Sequence, residues 1–198
     1  FTGTVAIDAT VEQPTDRIVC NAVDLTIGHA SVRAGDHAID VTVELDADTE
    51  RLILSLAEPV AVGDVVIELA FDGVLNDQLV GFYRSSFTVD GRTEYMAVTQ
   101  FEAPYARRAF PCWDEPEFKA TFEISLTCDA GLTAVSNGAE TARTDLDDGR
   151  TRFDFAPTMK MAAYPGRGAT GARGAPDPAR GGTTDTPVLR APGHGPLP

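Results

Sequence analysis

The residues best suited to chemistry are Gln100 and Glu102, which stand two apart in the segment from Met96 to Phe122. The surrounding pattern predicts a strand, and side chains two apart on a strand project from the same face. A carboxamide beside a carboxylate is a suitable cradle for a cation such as a protonated amine. The alternative is an exposed polar strand face without a ligand, and the residues alone leave both interpretations open.

Charged residues gather around the two prolines of the same segment: Arg107, Arg108, Asp114 and Glu115. Arginine–carboxylate pairs would fix a corner of the chain here. The adjacent carboxylates of Asp114 and Glu115 point in opposite directions on an extended chain, so they are not expected to converge on one bond as acid and base. The sequence therefore predicts a structural role for this group.

No complete catalytic or metal centre can be assembled from the sequence. It contains no HExxH, no GxSxG and no P-loop. The three cysteines, Cys20, Cys112 and Cys128, show no CxxC spacing, and the three histidines are scattered. We expect reduced thiols in a cytoplasmic protein, and neither catalytic residues nor a metal or cofactor site in this chain.

The composition excludes two classes of partner. The 198 residues include 30 acidic and 16 basic ones, for a formal net charge of −14. This charge argues against sequence-independent binding of nucleic acid and against docking on an anionic membrane. No apolar run is long enough to span a bilayer. The low lysine content fits either a salt-adapted source or a GC-rich genome, and both remain open.

The elements that must position Gln100 and Glu102 are strands. Short runs alternate apolar and polar residues and end at Gly, Asp, Asn or Pro, which is typical of half-buried strands. One run is Ile39, Val41, Val43 and Leu45, and Asp90-Gly91 predicts a tight hairpin turn. No segment has a sustained helical stripe, and only Tyr105–Phe110 fits a helical turn. The pattern predicts an all-β fold with two sheets packed face to face.

The composition changes after Tyr164. Residues 165–198 are rich in Gly and Pro and nearly free of large apolar side chains. Such a segment buries too little apolar surface to offset its conformational entropy, so it is predicted to be a disordered tail. A Pro-rich ligand for a partner domain is the alternative.

Four segments together carry a family resemblance: GFYRSSF (Gly81–Phe87), the run Thr99–Phe122, AVSNG (Ala134–Gly138) and FAPTMKMAAY (Phe155–Tyr164). Over residues 1–164 the chain resembles the N-terminal domain of aminopeptidase N-like zinc metallopeptidases. The puromycin-sensitive and tricorn-interacting aminopeptidases are the most similar group. The resemblance implies a saddle-like β-sandwich, with antiparallel and mixed sheets, that covers a catalytic domain.

The resemblance also implies roles for the two polar residues. In the family, the Glu of the TQFE motif helps to hold the free α-amine of a peptide, and the Gln lines the first side-chain pocket. By motif these are Glu102 and Gln100. The family's zinc, general base and further amine-binding loop lie in segments that this sequence does not contain. The chain is therefore expected to be inactive alone, with zinc only in the parent enzyme.

The similarity stops at Pro165, where the family continues into an apolar strand. We therefore expect residues 1–164 to be a domain that is incomplete at both ends. We expect residues 165–198 to be an out-of-frame segment, that is, one translated in a shifted reading frame. The expected partners are peptide N-termini and a missing catalytic domain. The alternative is a non-catalytic β-sandwich module that binds peptide N-termini or a partner enzyme, so whether the chain belongs to an enzyme is left undecided.

Overall fold

The computed structural model describes residues 1–166, 168–172 and 185–196, the last two ranges as strand backbone. This part of the chain has fifteen strands, no α-helix and one short 3₁₀ helix at Ala106–Arg108, inside the predicted helical turn. None of its helical segments is long and apolar enough to cross a membrane. The strands are β1 (Thr2–Val11), β2 (Thr15–Asn21), β3 (Leu25–Ala34), β4 (His37–Ile39), β5 (Val41–Asp46), β6 (Arg51–Val60), β7 (Gly63–Gly73), β8 (Gly81–Val89), β9 (Arg92–Gln100), β10 (Glu123–Asp129), β11 (Leu132–Ser136), β12 (Glu140–Asp145), β13 (Arg150–Phe155), β14 (Gly168–Ala172) and β15 (Asp185–Pro196).

The described strands form three sheets rather than the expected two. The large sheet has the order β12-β13-β10-β15-β1-β7-β3-β4, the second has the order β11-β14-β9-β8, and the third has the order β2-β6-β5. Neighbouring strands run antiparallel except for β15, which is parallel to β1. The all-β prediction with antiparallel and mixed sheets is confirmed, and β8 and β9 form part of a sheet of their own.

The main core lies between the large sheet and the sheet β2-β6-β5. Strand β1 buries every second residue, from Val5 to Val11. Leu52 and Leu54 of β6 are fully buried and belong to the same apolar cluster. Burying one such side chain contributes about 1.5–3 kcal/mol to folding. The alternation visible in the sequence therefore becomes the packing that joins these two sheets.

The run from Ile39 to Leu45 is divided between two sheets, which its regular alternation does not reveal. Strand β4 ends at Ile39 in the large sheet, and β5 begins at Val41 in the small one. Val43 lies opposite the buried Leu54, yet Val43 is exposed, as is Leu45. Both belong to an edge strand, where the facing sheet no longer covers the apolar side.

The predicted hairpin turn at Asp90-Gly91 is confirmed. It joins β8 to β9, and both residues have positive φ, 49° and 76°. A two-residue turn of this kind matches the right-handed twist of the flanking strands, which explains the Asp-Gly pair. The hairpin brings β9 back along β8 so that Gln100 pairs with Gly81.

The segment after Tyr164 contains two strands where disorder is predicted. Strand β14 lies between β11 and β9, and β15 lies between β1 and β10. Exposed strand edges can pair with an incoming segment whatever its side chains, because the pairing uses backbone donors and acceptors. The composition of a segment therefore does not by itself decide whether it forms a strand. The predicted disorder of residues 167, 173–184 and 197–198 falls outside the described residues.

The corner after Glu102 is held by a buried ion pair, in partial agreement with the sequence. Arg107 Nε donates to Asp114 Oδ2 at 3.1 Å, and Arg107 Nη1 donates to Glu50 Oε2 at 2.9 Å. Only 1% of the Asp114 side chain and 12% of the Arg107 side chain is exposed. Arg108 instead pairs with Asp24, and Glu115 is exposed. The pair thus ties this corner to the turn between β5 and β6.

Backbone contacts dock the same corner on β2. Asn21 and Cys112 exchange two backbone hydrogen bonds of 2.8 and 3.1 Å. The indole Nε1 of Trp113 donates to the carbonyl oxygen of Val19 at 2.8 Å. The backbone N–H of Asp114 donates to Asn21 Oδ1 at 3.2 Å. Residues 106–114 are therefore fixed to the core rather than lying as a free loop.

We predict that Gly138→Ala destabilises the fold. A Cβ at Gly138 would lie 2.0 Å from the carbonyl oxygen of Ala156, so the backbone must move. The free energy of unfolding should fall by about 1–3 kcal/mol, as measured by denaturant titration. Gly28→Ala is the matched control, because the nearest atom to its Cβ is 3.9 Å away. Equal stability of the two variants would contradict the close approach at Gly138.

A second prediction concerns the buried ion pair. Arg107→Met leaves the Asp114 carboxylate buried without its cation, so the free energy of unfolding should fall by about 3–5 kcal/mol. Arg143→Met is the control, since Arg143 pairs with Glu140 near the surface and 51% of its side chain is exposed. Such pairs contribute about 0–1 kcal/mol. If chemical denaturation gives the same loss of unfolding free energy for both variants, the buried pair contributes no more to stability than the exposed one.

Candidate functional site

Gln100 and Glu102 line one cleft, of about 640 Å³. One side of the cleft is the end of β9 and the residues that follow it, and the other side comes from β11 and the segment after Tyr164. Its lining residues are Val98, Thr99, Gln100, Phe101, Glu102, Val135, Ser136, Tyr164, Pro165 and Gly166. The cleft is large enough for an amino acid side chain with its backbone groups.

The two polar residues do not share a strand, which corrects the sequence-based expectation. Strand β9 ends at Gln100, and Glu102 lies in the turn that follows. The backbone N–H of Glu102 donates to Gln100 Oε1 at 3.1 Å. The two side chains therefore reach the same cleft through a turn rather than through strand alternation.

Phe101 explains why its two neighbours face the cleft. Its side chain is buried, and its ring packs edge-on against Phe110 with centroids 6.0 Å apart. Its carbonyl oxygen accepts a hydrogen bond of 3.0 Å from the N–H of Tyr105. Because Phe101 is anchored in the core, the residues on either side of it are held at the surface, and both are exposed.

Another part of the cleft lining is apolar and exposed. Val135 of β11 has 56% of its surface exposed, although its neighbour Ala134 is buried, and Tyr164 is 41% exposed. Asn137 Nδ2 donates to the carbonyl oxygen of Pro165 at 3.1 Å, which ties the segment after Tyr164 to the end of β11. Sequence reasoning did not select Val135 or Tyr164, because an apolar residue in a strand pattern is indistinguishable from a core residue.

Among the described lining residues, Glu102 is the only one with an acidic or basic side chain. Among the described residues no arginine, lysine or histidine forms an ion pair with its carboxylate. The chain as a whole has a formal charge of −14, so the surrounding field also favours cations. As far as the structure describes the chain, the cleft therefore places a carboxylate without a paired cation beside apolar side chains.

The described residues do not fit a metal ion or a reactive thiol. Within the described ranges, no three His, Cys, Asp or Glu side chains are close enough to bind a metal together. All three cysteines are buried and form no disulfide. Burial raises the pKa of Cys20 to about 12 and that of Cys128 to about 11, and it also raises the pKa of Cys112. At neutral pH these thiols are protonated, and protonated thiols are poor nucleophiles and poor ligands.

Comparison with known proteins finds relatives that are named aminopeptidases. The chain is 47% identical over 142 residues to aminopeptidase M1 of Arabidopsis thaliana and 46% identical over 137 residues to aminopeptidase M1-C of rice, Oryza sativa subsp. japonica. Each alignment covers 69% of this chain and 16% of the relative. It is 37% identical over 168 residues to a puromycin-sensitive aminopeptidase of Caenorhabditis elegans, covering 83% of this chain and 18% of that protein.

The chain thus spans less than a fifth of the length of these relatives. The family match covers residues 1–164, which include both walls of the cleft up to Tyr164. The sequence resemblance to aminopeptidases is thereby confirmed at the level of the family: this chain belongs to the peptidase M1 N-terminal domain family.

Proposed function

We propose that this chain is the substrate-amine-holding domain of a zinc aminopeptidase, an enzyme that removes N-terminal residues from peptides. Glu102 binds the protonated α-amine of the peptide, and Gln100 lies beside it. The observation that supports this role is the Glu102 carboxylate, which faces the cleft without a cation among the described residues. The family to which the chain belongs makes a peptide the fitting ligand.

The chemistry of the cleft favours an amine with an attached side chain over a bare cation. A charge-assisted hydrogen bond to Glu102 contributes about 1.5–3 kcal/mol. Val135 and Tyr164 are exposed in the same cleft, and an apolar first side chain of the peptide that packs on them would lose contact with water. The Glu102 carboxylate would repel an acidic first side chain. We therefore infer a peptide with a free N-terminus and a first residue that is not acidic.

Hydrolysis is assigned to parts of the parent protein outside this chain. The described residues hold no set of His, Cys, Asp or Glu side chains that fits zinc. The relatives named as aminopeptidases are about six times as long as the aligned region, which leaves room for a catalytic domain. In this proposal residues 1–164 form the domain, residues 165–198 are out-of-frame text, and the parent enzyme is cytoplasmic.

A stand-alone binding module is the second candidate. The same cleft would then bind peptide N-termini without a catalytic partner, or the domain would hold a partner enzyme. The described lining residues supply one carboxylate and a few apolar side chains, and binding through so few groups should be weak. Micromolar affinity of the isolated chain for peptides would favour the module over the enzyme piece.

We predict that binding requires a free amine. In nuclear magnetic resonance titrations of the ¹⁵N-labelled 198-residue chain, leucinamide should shift the signals of residues 98–102 at millimolar concentration. N-acetylleucinamide should leave them unchanged, because acetylation removes the charge that Glu102 binds. Glu102→Gln should weaken leucinamide binding about tenfold or more.

Glu94→Gln serves as the control in the same titration, since Glu94 lies on β9 but does not line the cleft. It should bind leucinamide as the unchanged chain does. Equal shifts with leucinamide and its acetylated form would refute the amine-holding role, and so would undiminished binding by the Glu102 variant.

A separate prediction concerns activity. The purified 198-residue chain should release no amino acid from leucine p-nitroanilide and should bind no stoichiometric zinc in equilibrium dialysis. The reason is that its described residues provide no set of metal ligands. Turnover that disappears with a chelator and returns with zinc would overturn the assignment of hydrolysis to another part of the protein.

A further inference from the structure

The AVSNG segment (Ala134–Gly138) contains a chemically labile bond that the proposed function does not use. Asn137 and Gly138 lie in the connection between β11 and β12. The sequence has three asparagines, and only Asn137 precedes a glycine, since Asn21 precedes alanine and Asn76 precedes aspartate. Glycine has no side chain to shield its backbone nitrogen, so that nitrogen can reach the side chain of the residue before it.

The reaction open to this pair needs only the two residues and water. The backbone nitrogen of Gly138 attacks Cγ of Asn137 and loses its proton, the bond from Cγ to Nδ2 breaks, and ammonia leaves. The product is a succinimide, a five-membered cyclic imide. Water then adds to one of its two carbonyl carbons. Opening on one side gives aspartate, and opening on the other gives isoaspartate, in which the main chain runs through Cγ.

Both reacting groups are accessible in the fold. Asn137 is exposed. Within the described part of the chain, the N–H of Gly138 donates no hydrogen bond, so the nitrogen can lose its proton without breaking one. Nδ2 of Asn137 donates to the carbonyl oxygen of Pro165 at 3.1 Å. An exposed hydrogen bond of this kind lowers the reactive population by about tenfold at most, so it slows the reaction without preventing it.

The other two asparagines are held more firmly, and both are half-buried. Asn21 exchanges two backbone hydrogen bonds with Cys112, and its Oδ1 accepts from the N–H of Asp114. Asn76 donates through Nδ2 to the carbonyl oxygen of Val80 at 3.0 Å, and its Oδ1 also accepts a backbone hydrogen bond. The chain therefore contains two internal controls for the reactivity of Asn137.

The isoaspartate product does not fit the surroundings of Gly138. A Cβ at Gly138 would lie 2.0 Å from the carbonyl oxygen of Ala156, so the two backbones are already in close contact. The N–H of Ala156 donates to the carbonyl oxygen of Ala139 at 2.8 Å, directly beside this contact. Isoaspartate adds one carbon atom to the main chain just before Gly138. The close contact must then shift, as it would for an added side chain.

We propose that Asn137 is a site of spontaneous modification by deamidation. The reaction places a new carboxylate next to Ser136, which lines the cleft, and its isoaspartate product displaces Gly138 from Ala156. The inference goes beyond the proposed function and does not depend on amine binding. Its failure and the failure of the amine-holding role are therefore separate results.

The first test follows all three asparagines of the full 198-residue chain during incubation, by peptide mapping with mass spectrometry. We expect Asn137 to convert about tenfold or more faster than Asn21 and Asn76, because only its neighbour lacks a side chain. The rate should rise from neutral to mildly alkaline pH, since the attacking nitrogen must lose a proton. The folded chain should react within about tenfold of the chain unfolded in denaturant, because one exposed hydrogen bond restrains the side chain.

The second test measures the stability of the aged chain by denaturant titration. The isoaspartate fraction should unfold at a lower denaturant concentration than the fresh chain. Asn137→Asp carries the new charge without the extra main-chain atom, so its midpoint should stay close to that of the fresh chain. Asn137→Gln is the matched control for ageing, because its longer side chain closes a ring much more slowly, and its midpoint should not change on incubation.

Three results would overturn the inference. Conversion of Asn137 no faster than that of Asn21 and Asn76 would show that it is not a preferred site. A rate in the folded chain that is well over tenfold below the rate in the unfolded chain would show that the fold protects the bond. An isoaspartate fraction as stable as the fresh chain would show that Gly138 is not displaced from Ala156.

Discussion

The buried pairing of Arg107 with Asp114 is the constraint on which the candidate site depends. Both side chains belong to the corner that follows the cleft, and Glu50 extends the pair to a turn of the small sheet. A buried carboxylate without its cation is costly, so the corner is held in one position. With this corner docked on β2, Phe101 and Phe110 can pack together, and the polar neighbours of Phe101 are directed outward.

The cleft combines groups that the chain supplies from separate regions. The charge comes from the turn after β9, and the apolar surface comes from β11 and Tyr164. Neither wall is a complete site, since one carboxylate without further partners holds an amine only weakly in water. The function proposed above assigns the remaining groups of such a site to another part of the parent enzyme.

Local features of the fold were predictable from the sequence because they depend on neighbouring residues. Asp90-Gly91 supplies two positive φ values in adjacent positions, and the alternation in β1 matches its buried face. Features that depend on distant residues were not predictable. Arg108 pairs with Asp24, 84 positions away, rather than with the nearby carboxylates. Local alternation cannot reveal such a partner.

The candidate site shows the same division. The types and spacing of Gln100 and Glu102 were enough to select them, but the residue pattern placed both on a strand that ends at Gln100. The turn arises because Phe101 is anchored in a core that includes Phe110, and this packing is tertiary. Val135 was missed because its exposure depends on which face of β11 the remaining sheet leaves open.

Because all three cysteines are buried, the chain should react only slowly with thiol reagents. Burial raises the pKa of the Cys20 thiol to about 12, so the reactive thiolate is a minor species at neutral pH. A single cysteine introduced at an exposed position would therefore react far faster than the native ones. The rim of the cleft can thus carry one fluorescent or paramagnetic label while all three native cysteines stay in place, and the distance from that label to a bound ligand becomes measurable.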